Sequence, residues 1–320
     1  MEQLIEKWTG SVHEVIIGAT EAEGGSRQST VKIGGEKTLP FLFPEGVIPN
    51  KPVIAYEIQD IPPQDWPAEL TSQYKDVFND PLAWAERCVA QFGAKLICVK
   101  LTGAHPDNGN KSADDEAKLV GRLLKRVTVP LIITGCGDDE KDNQVLPACC
   151  EAAKGERCLI GCAVQDNYKT ITAAVSADGH SIIAESPIDI NIAKQLNILI
   201  SDMGLPLERI VINPTIGSLG YGLEYAYSIM ERARLAALSG DKTVASPFIC
   251  FVAQESWRAK EAKVSKTEFP DWGEEVERGV IWEALTATAL MQSGGNLLVM
   301  RHPKAVKKVS SYIDSLFKIN

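Results

Sequence analysis

No stretch of this 320-residue chain approaches the roughly 18–20 consecutive apolar residues that a membrane-crossing helix needs. The opening MEQLIEKWTG has no basic segment leading into an apolar core, so it does not read as a secretory signal. Both absences argue against a membrane partner and for the cytoplasm. Positive charge is also scarce: 33 Lys and Arg stand against 42 Asp and Glu, a net charge of −9, with no basic stripe. Nucleic acid is therefore excluded as a partner. There are eight cysteines but no C-x-x-C pair. Neither the adjacent Cys149–Cys150 nor the Cys158-x-x-x-Cys162 spacing suits zinc or iron–sulfur ligation, and most cysteines sit inside apolar runs. They read as reduced, buried thiols, and no iron–sulfur cluster is expected in this chain. Histidine is rare, four residues in all. His13 falls in a hairpin and His180 begins a strand, which leaves His105 and His302 within reach of one site, too few for a metal centre. Nucleophile-elbow and P-loop motifs are missing too.

What the chain does have is alternation. Residues 12–37 hold two alternating segments, VHEVIIGAT and STVKIGGEK, around a turn-rich EAEGGSRQ, the pattern of a β-hairpin. Residues 1–51 are read as an extension that plugs or pads the main domain, residues 52–320. In that domain, strands are expected at 52–58, 95–101, 130–135, 158–163, 180–185, 209–214, 247–252 and 296–301, each a short continuous apolar run. Helical periodicity fills the intervals, for example at 80–92, 113–126, 188–200 and 274–292. Asp80–Pro81 is a helix-start signal. The stretch 209–238 spells one complete unit: strand RIVINP, a loop with Gly217, Gly220 and Gly222, then a helix burying Ala226, Ile229, Met230, Ala233 and Ala237. Eight strands and helices in alternation predict a (β/α)8 TIM barrel with an N-terminal β-hairpin extension. A doubly wound open sheet is the runner-up, but no G-x-G-x-x-G follows the first strand. Two long strand-to-helix loops, 59–79 and 253–273, are expected to serve function or a partner.

In such a barrel the strand ends form the candidate site: Glu57, residues 100–105, 134–138, 165–167, 185–187 and 213–217, Gln254, Glu255, Arg301 and His302. This set is rich in amides and hydroxyls and poor in grouped acids, which suits hydrogen bonding to a large polar ligand. Several alternatives stay open. Cys136, in ITGCGDD, is either an exposed thiol or part of a tight loop in which Gly135 and Gly137 supply positive φ. NPTIGSLGYG is either an anion cradle or a glycine-rich helix cap. Glu57 and Glu185 are either an acid–base pair or structural hydrogen-bonding groups. DGHSII resembles the start of a cobalt-ligating D-x-H-x-x-G pattern, but Ile183 replaces the glycine and His180 lies at the wrong end of its strand.

INPTIGSLGYGLEYAYSIMERARLAAL (212–238), FGAKLICVKLTGAHPD (92–107) and VPLIITGCGDDEKDNQVLPACCEAA (129–153) together resemble the small subunit of the corrinoid iron–sulfur protein. That subunit is the delta subunit of the carbon monoxide dehydrogenase/acetyl-CoA synthase complex. The resemblance implies a barrel partnered by a large subunit that carries a [4Fe–4S] cluster and a corrinoid-binding domain, with the corrinoid lying between that domain and the barrel mouth. It implies a methyl carrier of the reductive acetyl-CoA pathway. The methyl group would come from methyltetrahydrofolate through a corrinoid methyltransferase and pass to acetyl-CoA synthase; a reductive activator would be a further partner. Candidate cofactor-binding residues, each from a loop inside a matching stretch, are Thr102, Gly103, Thr134, Gly135, Cys136, Asn213, Thr215 and Gly217. The alternative is a methyltetrahydropterin-dependent corrinoid methyltransferase barrel, in which Glu57, Asn213 and Gln254 would imitate part of a pterin-binding set.

Overall fold

The computed structural model describes residues 5–318. Two antiparallel strands come first, β1 (Glu14–Ile17) and β2 (Val31–Gly34), in register from Glu14 opposite Gly34 to Ile17 opposite Val31. Eight parallel strands then close into a barrel: β3 (Val53–Gln59), β4 (Ile97–Lys100), β5 (Leu131–Thr134), β6 (Leu159–Ala163), β7 (Ser181–Glu185), β8 (Ile210–Asn213), β9 (Phe248–Cys250) and β10 (Gly295–Met300), with β10 pairing back to β3. Each is followed by its barrel helix: α1 (Pro81–Ala90), α2 (Ala113–Arg126), α3 (Asp139–Ala152), α4 (Tyr168–Asp178), α5 (Ile190–Asp202), α6 (Leu223–Leu238), α7 (Glu275–Gln292) and α8 (Pro303–Leu316). The expected strands are all present.

Period-two alternation divides each strand between two cores. Tyr56, Ile58, Val99, Ile133, Ile212 and Leu298 point outward and pack under the helices. Ala55, Leu96, Cys98, Ile132, Leu159, Ile183, Val211, Ile249, Leu297 and Val299 point inward. The inner core has a second source, since Val15, Ile17, Val31 and Ile33 of the hairpin belong to the same cluster. The hairpin therefore seals the N-terminal end of the barrel with aliphatic side chains. Its connecting loop is fastened by buried Arg27, which donates to the Leu124 and Val127 carbonyls at the C-terminal end of α2 and to the Glu156 carboxylate. Those carbonyls have no partner inside the helix, and a cation suits that end of its dipole.

The helices follow the sequence signals closely. Asp80 accepts from the Leu82 and Ala83 amides with Pro81 in the first turn, and all five apolar residues expected on the buried face of α6 are buried. The loop 59–79 is anchored in the core at four points: Trp66, Leu70, Tyr74 and Val77 are buried, with Trp66 and Tyr74 packed against Trp84 of α1. Its three aromatic residues, Trp66, Tyr74 and Phe78, pack with Trp84, which holds the segment against the barrel while most of its other residues stay at or near the surface.

The loop after β4 is anchored by two buried carboxylates and a half-buried lysine. Asp60 accepts from the Gly103 amide and from Lys111 Nζ at 2.8 Å, while Glu116 of α2 lies 3.7 Å from the same ammonium. Burial, and then the neighbouring Asp60 charge, push the Glu116 carboxyl up to about 8.

Two outcomes are expected. Ile33→Ala should lower unfolding stability by about 2–5 kcal/mol in a urea titration, because the side chain fills the closed end of the barrel; a loss well under that range would mean the hairpin rests on the surface. The Glu116 pKa is higher folded than unfolded, so its contribution is complete below about 4.5 and fades as pH climbs through about 8. Glu116→Gln should flatten that decline and leave the variant more stable than the parent at pH 9 by roughly 1–3 kcal/mol. Parallel stability–pH curves for the two proteins would refute the assignment.

Candidate functional site

Continuing the inward alternation two residues past the aliphatic layer places polar side chains at the open end. Glu57, Lys100, Thr134, Glu185 and Asn213 stand at the C-terminal ends of their strands and line a cavity of about 210 Å³. The first turn of α3 adds Asp139 and Asp142, and the turn after β9 adds Phe251, Gln254 and Glu255. Sequence reading expected few grouped acids here. The fold instead brings five carboxylates to one cavity, because Asp139 and Asp142 reach it from a helix start rather than a strand end.

These groups are tied in pairs. Glu57, fully buried, accepts from Arg301 Nη2 at 2.7 Å. Burial would raise its pKa, but Arg301 and then Lys100 outweigh that and hold the carboxyl below its ordinary value. Lys100 donates to Gln254 Oε1 at 2.7 Å, and Asn213 Nδ2 donates to Glu185 at 2.7 Å. Both Glu57 and Glu185 thus have hydrogen-bonding partners, as the structural alternative required. Asp139 titrates above its ordinary value because of burial and then the Asp142 and Asp166 charges.

The eight candidate residues divide three ways. Thr134, Gly135, Asn213 and Thr215 line the cavity. Thr102 and Cys136 line an adjoining one. Gly103 and Gly217 line neither and serve loop geometry: a Cβ at Gly103 would strike the Asp60 carboxylate, and one at Gly217 the Tyr221 carbonyl oxygen. The glycines around Cys136 differ from expectation. Only Gly137 has positive φ, at 92°, whereas Gly135 is needed because a side chain there would collide with the Asp142 carboxylate. That carboxylate accepts from the Cys136 and Gly137 amides at 2.8 and 3.1 Å, which makes this a tight loop. Burial pushes the Cys136 thiol up to about 12, so it is a poor nucleophile at neutral pH. In NPTIGSLGYG, Gly220 and Gly222 have positive φ and the Gly222 cap uses no side chain, so the run closes a turn onto α6.

The histidines stand apart from the cavity. His302, expected within reach of the mouth, is buried instead: it caps α8 through the Lys304 amide and stacks on Trp257 with ring centroids 5.9 Å apart. Its pKa is lowered to about 4, first by burial. His180 accepts from the Cys158 amide at the sealed end. Among the described residues no cluster of three or more potential metal ligands occurs, and no helix is long and apolar enough to cross a membrane.

A family model described as CO dehydrogenase/acetyl-CoA synthase delta subunit matches residues 14–310. The acetyl-CoA decarbonylase/synthase complex subunit delta of Methanocaldococcus jannaschii is 38% identical over 307 residues, which is 96% of this chain and 74% of that relative. Its counterpart from Archaeoglobus fulgidus is 35% identical over 316 residues, covering 97% of this chain and 70% of that protein. The backbone also resembles dihydropteroate synthases. That of Xanthomonas albilineans with 4-aminobenzoic acid superposes with a TM-score of 0.55 over 86% of this chain and 95% of the other, at 14% identity. This last likeness reaches only the barrel fold, whereas the first three findings share one assignment over nearly the whole sequence, and by them the chain belongs to the delta-subunit family of the CO dehydrogenase/acetyl-CoA synthase complex.

Proposed function

We propose that the barrel mouth is one wall of a corrinoid site whose other wall is supplied by the large subunit of a corrinoid iron–sulfur protein, and that the pair carries methyl groups. Family membership implies a corrinoid and partner subunits. The observation that carries the reading is the mouth itself. It is an open cup of about 210 Å³ with polar and apolar walls, smaller than the roughly 300 Å³ at which pockets begin to enclose drug-sized ligands. A corrinoid would lie across such a cup, leaving its other face for a second protein.

The donor set fits that ligand. A corrin ring is rimmed with amide side chains, and each amide needs both a donor and an acceptor. Asn213 and Gln254 each keep a second amide N–H to donate, while Thr134 and Thr215, whose hydroxyl protons go to the Val99 and Ser186 carbonyls, accept, as do Asp139, Glu185 and Glu255. Asn213 is pre-oriented by Glu185, and Gln254 by Lys100 and Glu255. Phe251 and Ile216 supply apolar surface that excludes water beside them. Among the described residues no imidazole lines the cup, which suits a metal held without a nitrogen ligand from this chain. When bound, the corrinoid supplies a cobalt centre able to take up and release a methyl group. On this reading the methyl group derives from methyltetrahydrofolate through a separate methyltransferase and goes to acetyl-CoA synthase, and a reductive activator keeps the cobalt serviceable. The pterin-dependent methyltransferase alternative draws on Glu57, Asn213 and Gln254; of these Glu57 is already committed to Arg301.

Titration with hydroxocobalamin, followed by visible absorbance, should show weak binding to this chain alone and at least about tenfold tighter binding to its complex with the large subunit. Asn213→Ala and Gln254→Ala should each weaken retention by the complex about tenfold, the scale of one or two lost hydrogen bonds. Tight stoichiometric binding by this chain alone would rule out a shared seat. Saturable binding of methyltetrahydrofolate by this chain alone would favour the methyltransferase.

A further inference from the structure

A second cavity, of about 400 Å³, adjoins the first and shares Lys100 and Gln254 with it as a common wall. Its charge has the opposite sign. Lys100, Arg258, Lys263 and Arg301 line it against a single carboxylate, Asp65. Even with Glu57 and Glu255 set against Arg301 and Arg258, the cations outnumber the acids.

Three donors on residues that line this cavity are buried and have no hydrogen-bond partner: Arg301 Nε, Trp66 Nε1 and Thr102 Oγ1. Arg301 and Trp66 are only 5% and 7% exposed, and the guanidinium lies 4.5 Å from the centre of the indole ring. Guanidinium and indole N–H groups can only donate. Leaving such groups unpaired is unfavourable, and an acceptor bound against them would relieve it. A neutral amide or alcohol brings donors of its own, whereas an oxyanion brings acceptors alone and a charge that matches the excess of cations.

We infer that this second cavity is a subsite for the oxyanion group of a small molecule, a phosphate or a carboxylate. Arg301 and Trp66 form its rigid floor, since the guanidinium is fixed by Glu57 and its own backbone amide by Glu283. Lys263, exposed at the rim, supplies long-range attraction. The assignment does not need the corrinoid reading: Arg301, Trp66, Thr102 and Lys263, which carry it, line only the second cavity, although Lys100 and Gln254 border both.

Isothermal titration calorimetry of the full chain with inorganic phosphate, and separately with succinate, at fixed ionic strength, tests it. Saturable one-site binding of either is expected. Tighter phosphate binding would assign a phosphate ligand, and tighter succinate binding a carboxylate. Thr102→Val, which keeps the side-chain shape, and Lys263→Glu, at the exposed rim, should each weaken binding about tenfold with unchanged circular dichroism. No saturable heat from either anion, or binding indifferent to both substitutions, would overturn the assignment.

Discussion

The contact between Glu57 and Arg301 governs both the closure of this barrel and the chemistry of its mouth. Glu57 lies in the first barrel strand and Arg301 immediately follows the last, and those two strands pair to complete the ring. Both residues are buried, at 1% and 5% exposure. Neither is tolerable there alone: removing one partner of such a pair leaves a desolvated charge and costs about 3–5 kcal/mol. The surroundings hold the geometry. The Arg301 amide donates to Glu283, its carbonyl accepts from the Tyr74 hydroxyl, and its guanidinium rests on Trp66. Glu283 also accepts from Trp257 Nε1 at 2.9 Å, and burial raises its carboxyl to about 7. The ion pair thus stands where the carboxylate-rich and cation-rich sides of the mouth meet, with Lys100 at the border held by neutral Gln254.

The fold was legible because its signals are local. Each barrel strand is a short apolar run, and the helix faces recur at steps of three and four. The hairpin announced itself by alternation, and its place in the barrel was hinted at by the aliphatic residues on one face: Val15, Ile17, Val31 and Ile33 have no solvent-facing use. The site was legible only where it too is periodic. Thr134 and Asn213 stand two residues beyond the inward-facing Ile132 and Val211, and so do Glu57 beyond Ala55, Lys100 beyond Cys98 and Glu185 beyond Ile183. That step of two is the signal that separates true lining residues from neighbours. Gly103 and Gly217 were attractive as loop glycines, but each has a steric reason to be glycine that no local pattern reveals: one approaches Asp60 and the other Tyr221. The contribution of Asp142 was equally invisible, since it depends on a helix start folding back beneath Gly135. His302 stands just past a strand end, as a mouth residue should, yet Trp257 and the α8 cap draw it into the core.

Along the barrel axis the inward side chains change from wholly apolar at the hairpin, through Cys98, to a mainly polar rim interrupted by Val164, Ile216 and Phe251. This gradient has a functional consequence. Binding free energy is available at one end only, because the other is filled by packed aliphatic groups whose removal would cost stability. The available end is divided into two modest cavities, since Lys100 and Gln254 stand between them and Glu57 is held by Arg301. A ligand larger than the cup therefore leaves much of its surface uncovered, and that surface must meet either solvent or another protein. Specificity for such a ligand cannot come from enclosure by this chain and has to come from directed hydrogen bonds at the rim, which is where the paired amides and carboxylates stand. On the corrinoid reading proposed above, a seat of this kind would suit a group that must be handed between proteins, because one partner could vacate it without unfolding the other.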